Sequence, residues 1–323
     1  MTSRRGALAV APGWPFGPYP PGGLQRLGPH VVAYHGDAYP AANSAIVRGA
    51  DATLVFDANT LRFARAVRAA VDHSEGPPLR ELVLSHSHGD HAHGAMHFSP
   101  PTRTWASHSA RDGLARWAGR DLTPFAEEMV AEQHALGLKE PSTEAEYREV
   151  RIVVPDRVVD AGGATIELGG GVRVQLRLEA TAQTLGDLWA FVEPDRIALC
   201  GDLWFNDCEP YIASGSLAGS LNALGHLRES GARTWLPGHG PAGRMGGPGE
   251  DSQERYCRWV GHAVQAGRAR GLRGADLRTE VRRAWNAQRE GPLPIRFALE
   301  IPGVLEDNVE MVEEELTGES ASH

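Results

Sequence analysis

The segment LVLSHSHGDHAHG, residues 82–94, gathers the side chains of this chain best suited to grip a divalent cation. His86, His88, Asp90 and His91 fall within six positions. Imidazole and carboxylate are the donors that a borderline cation such as zinc takes, at about 2.0–2.2 Å. The apolar run Leu82-Val83-Leu84 reads as the end of a buried strand. On a strand-like backbone residues two apart point the same way, which pairs His86 with His88. Gly89 allows a tight turn, after which Asp90 and His91 aim elsewhere. Two differently aimed ligand groups in one short segment suggest two neighbouring metals. The dull alternative is a chance cluster of surface histidines. The chain has 14 His, five of which (His86, His88, His91, His93, His97) lie in twelve positions, and that density behind an apolar strand argues against chance.

The rest of the chain must supply the elements that hold these groups. Residues 1–29 form an N-terminal arm, dense in Pro and Gly over 11–29 and so neither helix nor strand. Its Trp14, Phe16 and Tyr19 are read as anchors on the core rather than as part of a substrate mouth. From His30 to Asp57, β-branched runs alternate with turns, as in a hairpin-rich sheet. Leu61–Val71 reads as a helix, and Thr102–Ala106 as a strand. Residues 109–148 are mostly helical and include His134, taken as solvent-exposed. Strands return over 151–200, then a helix over Ser220–Ser230 and a strand over Thr234–Leu236. Beyond the Gly-rich PAGRMGGPGE, residues 251–288 read as two Arg-rich helices with a solvated face. Residues 304–316 form a last acidic amphipathic helix, with Val304, Leu305, Val309, Val312 and Leu316 along one side. This pattern by itself gives only mixed α and β structure.

Five landmarks then carry a resemblance. His86-Ser87-His88-Gly89-Asp90-His91 resembles the HxHxDH motif of the metallo-β-lactamase fold superfamily. Leu54-Val55-Phe56-Asp57 is similar to its early strand ending in Asp. Thr184, Gly186 and Asp187 fit its HTxGD segment. Leu199-Cys200-Gly201-Asp202 resembles its later Gly-Asp strand, and Leu236-Pro237-Gly238-His239-Gly240-Pro241 its late histidine motif. The resemblance implies an α/β, four-layer αββα sandwich over residues 30–250, with a helical insertion at about 109–148 partly covering the site. Residues 251–323 would be a C-terminal helical extension packed on the core. The implied metal ligands are His86, His88, Asp90, His91, Asp202 and His239. One position departs from the family: Gln183 stands where a histidine is usual. An amide oxygen can coordinate but is a weaker donor to zinc, so the first site is weakened, altered or empty, while the second, with Asp202 bridging, is complete. His93, and less so His97, are candidates to replace the missing ligand or to support the ligands from behind. Asp57 is a candidate hydrogen-bond acceptor for a ligand histidine. Tyr39 and Asn43 resemble loop residues flanking the family's site.

The chemistry implied is that of a metallohydrolase: a zinc-activated hydroxide attacking an ester, thioester, lactone or amide of a small molecule, with Asp90 and Asp202 as the catalytic carboxylates. One or two zinc ions per chain are expected, with iron or manganese as alternatives. A non-hydrolytic enzyme or binding protein is the main rival, because Gln183 can mark a changed task. An iron-dependent oxidoreductase ranks lower, since persulfide dioxygenases of this superfamily build their iron site partly on the position that is Gln183 here. Fold alone does not decide among these.

Composition narrows the partners. The formal charge is -9, from 32 basic and 41 acidic residues, which argues against nucleic acid or an anionic membrane as partner. Three cysteines, Cys200, Cys208 and Cys257, show no pairing pattern and suit a reducing compartment. Cys200 reads as a core residue, and Cys208 as one near the metal mouth. No apolar run is long enough to span a membrane or serve as a signal peptide, so a cytoplasmic location is expected. The oligomeric state is open. The acidic terminal helix suits either its own core or a second copy in a homodimer.

Overall fold

The computed structural model describes residues 23–35, 42–73, 76–98, 102–123, 126–127, 130–131, 143–244, 248–291 and 294–318. Trp14, Phe16, Tyr19, Tyr39 and His134 lie outside them. Two sheets make the centre. In the first, β1 (Gly23–Arg26), β2 (Val31–His35), β3 (Ser44–Arg48) and β4 (Thr53–Phe56) run antiparallel. This sheet continues in parallel through β5 (Leu79–Val83), β6 (Arg103–Ser107) and β7 (Arg157–Val159). The second contains β8 (Ala164–Glu167), β9 (Arg173–Glu179), β10 (Asp187–Val192), β11 (Ile197–Phe205) and β12 (Thr234–His239). Its strands are antiparallel except for the β11–β12 pair.

Alternating side chains from both sheets, among them Val47, Leu54, Val174, Leu188 and Leu199, interdigitate in one buried core. The first sheet's outer face carries α1 (Leu61–Asp72) and α3 (His108–Trp117), and Ile46, Val55, Val67, Leu82 and Leu114 fill that layer. The second sheet's outer face packs Trp204 and Trp235 against Leu224 and Leu227 of α5 (Leu217–Glu229). The result is the four-layer αββα sandwich expected. Between β5 and β6 lie the short α2 (Gly89–Ala92) and a 3₁₀ turn, His93–His97. Of the insertion, α3 and α4 (Glu144–Glu149) are described. Residues 132–142 fall outside the described set.

Two local expectations change. Residues 23–26, read as part of the arm, form β1, because Leu24 and Gln25 pair in register with Tyr34 and Ala33. The metal strand ends at Val83, so His86 and His88 sit in the loop that follows and not on the strand itself.

The C-terminal helices α6 (Pro248–Ala269), α7 (Gly274–Arg289) and α8 (Val304–Thr317) build their own core around Tyr256, Val260, Val281, Trp285 and Val309. Ile212, which follows β11, is buried in that core and ties it to the sandwich. Among the described residues no helix is long and apolar enough to cross a membrane.

Candidate metal centre

In the parallel parts of both sheets the carboxyl ends point to one edge of the sandwich, where ligands collect in α/β architectures. Asp57 follows β4, the His86–His91 segment follows β5, Asp202 lies on β11, and His239 ends β12. Gly201 shapes the β11 contribution. Its φ of 52° is a left-handed conformation costly for other residues. A Cβ there would also stand 2.7 Å from Ser85 Cβ. The register of β11 against β12 shifts on both sides of it.

The structure brings His86, His88, Asp90, His91, Asp202 and His239 together. His86 and His91 have ring centroids 4.3 Å apart, His86 and His88 4.6 Å, and His91 and His239 5.5 Å. His91 Nε2 lies 3.1 Å from Asp202 Oδ1 and 3.6 Å from Asp90 Oδ2. His239 Nε2 lies 3.1 Å from Asp90 Oδ2 and 3.5 Å from Asp202 Oδ1. Two sets of donors are compact enough for one ion each: His86, His91 and Asp202, and Asp90, His91 and His239. Neither contains His88, His93 or His97. His93 is instead mostly buried against Tyr147, and burial drops its pKa to about 4. Gln183 is buried with its amide Nε2 3.3 Å from His88 Nδ1.

Hydrogen bonds behind the site fix which ring nitrogens face inward. His91 Nδ1 lies 2.8 Å from Asp57 Oδ2. Asp57 is fully buried, and it also accepts from Ser85 N (2.7 Å) and Ser85 Oγ (2.8 Å). Ser85 Oγ in turn sits 2.9 Å from His86 Nδ1. The carboxylate of Asp57 therefore takes the Nδ1 proton of His91, which leaves Nε2 aimed at two more carboxylates. Asn43 ties down the segment carrying His239: its backbone N donates to Gly238 O (2.7 Å) and its side chain to Pro237 O and Gly240 O. Thr184 N and Oγ1 donate to buried Asp187, anchoring the loop of Gln183. Burial pushes the Asp187 carboxyl up to about 6.

The fit to a cation can be tested on the protein's own atoms. His86 Nε2, His91 Nε2, Asp202 Oδ1 and Gln183 Oε1 are buried without a hydrogen-bond partner. Buried polar atoms in native proteins are almost always satisfied, and three of these, on His86, His91 and Asp202, belong to one set of donors compact enough for an ion. Charge says the same. Burial works against a charged His91, yet Asp202, Asp90 and Asp57 hold its pKa well above the ordinary value. Burial likewise opposes ionised Asp90 and Asp202, but His91 and His239 keep both below the usual carboxylate range. This cluster demands positive charge at its centre, and its donors are those a divalent cation takes.

Four of the ligand candidates, His88, Asp90, Asp202 and His239, line a cavity of about 380 Å³. Its other walls come from Tyr147 of α4, from Cys208, Glu209 and Tyr211 after β11, and from Ile301 and Val304 of the C-terminal region. Sequence reasoning placed Cys208 near the mouth and gave the C-terminal helices a part in shaping the pocket, but missed Glu209 and Tyr211. Neither belongs to a spaced motif. The sole signal was their position a few residues after Asp202. Burial pushes the Cys208 thiol far up, so it is no thiolate donor.

The model of the metallo-beta-lactamase superfamily matches residues 39–239. The chain belongs to that superfamily. No curated protein matches it in sequence. Among solved structures, the stereoselective inverting sec-alkylsulfatase Pisa1 from Pseudomonas sp. superposes with a TM-score of 0.66 at 15% identity. That match covers 94% of this superfamily member and 51% of the sulfatase, so the chain spans about half the sulfatase's length. The metallo-beta-lactamases from Pontibacter korlensis and Erythrobacter litoralis give TM-scores of 0.52 and 0.53 at 14% and 16% identity. Each covers 73% of this chain, and the matches take in 98% and 95% of those proteins. At such identities the likeness is one of fold.

Proposed function

We propose that this protein is a zinc-dependent hydrolase of small carbonyl compounds: esters, thioesters, lactones or amides. One observation carries the reading. His86, His91 and Asp202 carry buried atoms without hydrogen-bond partners in one compact donor set, and Asp202, with His88, Asp90 and His239, also lines a cavity sized for a small molecule. His86, His88, Asp90, His91, Asp202 and His239 would hold the metal, with Gln183 beside His88. The nitrogen and oxygen donor set, with no thiolate, suits zinc; manganese and iron are the alternatives that metal analysis distinguishes. When bound, the cation would polarise the substrate oxygen under attack and acidify water.

The chain's own groups do the rest. Asp57 holds His91 with Nε2 inward, and Ser85 does the same for His86. Asp90, kept ionised by His91 and His239 despite burial, is placed to accept a proton at Oδ2. Tyr211, 6.2 Å from the ring of His88, and Phe205, stacked 5.6 Å from the ring of His239, shield the floor from bulk water. Membership of a fold shared with an alkylsulfatase raises sulfate esters as a second substrate class. The cavity speaks against it. Beyond the ligand residues, its charged lining among the described residues is Arg62, Glu146, Glu209 and Asp307, and Arg62 donates to Glu146 at 3.0 Å. Such a lining does not favour an anion.

The test is a panel of p-nitrophenyl acetate, a thioester, a γ-lactone and a secondary alkyl sulfate, assayed on protein as purified, after chelation, and after zinc is restored. Carbonyl substrates should be turned over, with activity lost on chelation and regained with zinc. Full activity after exhaustive chelation overturns the reading. So does inactivity toward every carbonyl compound, which would favour the non-hydrolytic alternative.

A further inference from the structure

Glu209 is a charged group that the metal centre does not use. It is 2% exposed, yet it lines the same cavity as Asp90, Asp202 and His239. Its position is built, not incidental. Its backbone N donates to Leu299 O at 2.9 Å. Its Oε1 accepts from the Tyr256 hydroxyl at 2.8 Å. Tyr256 is held in turn by Asn308, whose Nδ2 donates to the hydroxyl at 2.9 Å and to Pro210 O at 2.8 Å. Oε2 of Glu209 has no hydrogen-bond partner among the described residues. Oε2 is not among the fully buried atoms that lack a partner, so it is the oxygen that the cavity reaches.

The surroundings define what would meet it there. Charged and titratable groups of four segments act on Glu209: Tyr256 of α6, Arg282 of α7, Glu300 of the segment before α8, and Glu306 of α8. Cys208 and Asp207 flank it on its own loop. Arg282 is engaged by Glu306 at 2.7 Å, and Glu300 by Arg289 at 3.0 Å. On the cavity side the remaining charged neighbour outside the Arg62–Glu146 pair is Asp307, another acid. Phe205, Tyr211 and Tyr147 are the aromatic residues of the same lining, and aromatic rings attract cations.

We propose that this wall is a subsite for a cationic group, with Glu209 as its anionic partner, and that the substrate is an ester, thioester or amide bearing an alkylammonium or quaternary ammonium group. The substrate class rests on the hydrolase reading; the subsite does not. The ammonium group would sit against Oε2 of Glu209 and the aromatic rings, leaving the scissile carbonyl toward the ligand residues of the same cavity. Burial, opposed by the Tyr256 hydrogen bond, brings the Glu209 carboxyl up to about 7. The attraction is therefore present above neutral pH and fades as pH falls. The Tyr256 hydroxyl, pushed well up by burial, stays protonated through that range.

The experiment uses the full, metal-loaded chain and two probes of matched size, butylammonium chloride and butanol, titrated by calorimetry. At pH 8 butylammonium should bind on the order of tenfold more tightly, equivalent to about 1.4 kcal/mol. The preference should vanish below pH 6, with a midpoint near 7. Glu209→Gln keeps an acceptor for Tyr256 and should abolish the preference at pH 8. Equal binding of the two probes by the native protein at pH 8, or a preference that survives in Glu209→Gln, overturns the proposal. The native pH profile decides even if the variant fails to fold. Turnover of the acetate ester of choline and of its uncharged carbon isostere separates the two readings. Hydrolysis of both without a charge preference sinks the subsite and spares the hydrolase. Probe binding that follows Glu209 without hydrolysis of either ester sinks the hydrolase and spares the subsite.

Discussion

At the residue scale, ring orientation is the quantity that matters. Asp57 controls it for His91 directly and for His86 through Ser85. Outer hydrogen-bond partners of metal ligands are commonly worth about 10–100-fold in affinity. Asp57→Asn should weaken metal binding by that order, read by competition with a chromogenic chelator. An unchanged affinity would mean the rings are held by packing alone. Gln183 makes a second case. If its amide leaves one site weak, the native protein carries about one zinc per chain, and Gln183→His should raise that content toward two by elemental analysis. Two tightly held zinc ions in the native protein would contradict this view of Gln183.

Glu209 gives a pH effect on stability with a definite sign. Its carboxyl titrates at about 7 when folded against an ordinary value of 4.5, so the folded state keeps the proton longer. Stability from this group is full below about 4.5, falls as pH rises toward 7, and stays low above that. Glu209→Gln cannot ionise. It should melt above the native protein at pH 8 and with it at pH 4.5, by differential scanning calorimetry. Of the site, the metal-ligand candidates were legible because histidine and aspartate crowd together at fixed short spacings chiefly where they surround a cation. Glu209, Tyr211 and Tyr147 were not. A lone Glu or Tyr carries no spacing, and what sets it apart is its place in the fold, which only the folded chain reveals.

At the element scale, strand ends deliver the ligands, and their closeness depends on missing side chains. A Cβ on Gly238 would stand only 1.9 Å from Asp202 Oδ1. Gly238→Ala should therefore push the Asp202 carboxylate aside. The expected outcome is at least a tenfold loss of metal affinity with the far-ultraviolet circular dichroism retained. Undiminished affinity would show that β11 and β12 can part without cost. Most strands and helices were legible from period and punctuation. The exceptions are instructive. β1 hides in a Gly-rich stretch because its pairing with β2, not its own composition, makes it a strand. His86 and His88 looked like strand residues because the apolar run before them gives no sign that the ladder stops at Val83.

At the scale of the whole molecule, the sandwich and the C-terminal helices share the task of enclosing the cavity. The superfamily match ends at residue 239, yet Ile301, Pro302, Val304 and Asp307 line the cavity. The sequence reading expected these helices to pack on the core but not which of their residues would line the cavity, since a helix's apolar stripe does not name its partner. Their integrity hangs on one fully buried indole. Trp285 packs edge-on to Tyr256 with centroids 5.4 Å apart and lies 4.9 Å from Trp259. Trp285→Ala should cost about 3–5 kcal/mol of stability by urea denaturation. A loss under about 1 kcal/mol would show that this layer adds little to the fold.

The attachment of residues 298–299 to 207–209 is made largely of main-chain hydrogen bonds, Ala298 N and Leu299 N to Asp207 O and Glu209 N to Leu299 O. Such a seam is indifferent to most side-chain identities. The side chains at 301, 302, 304 and 307 shape the cavity without belonging to that seam or to the donors that would grip the cation. Conservative exchanges there would alter what the cavity admits while the main-chain attachment and the donors keep their places.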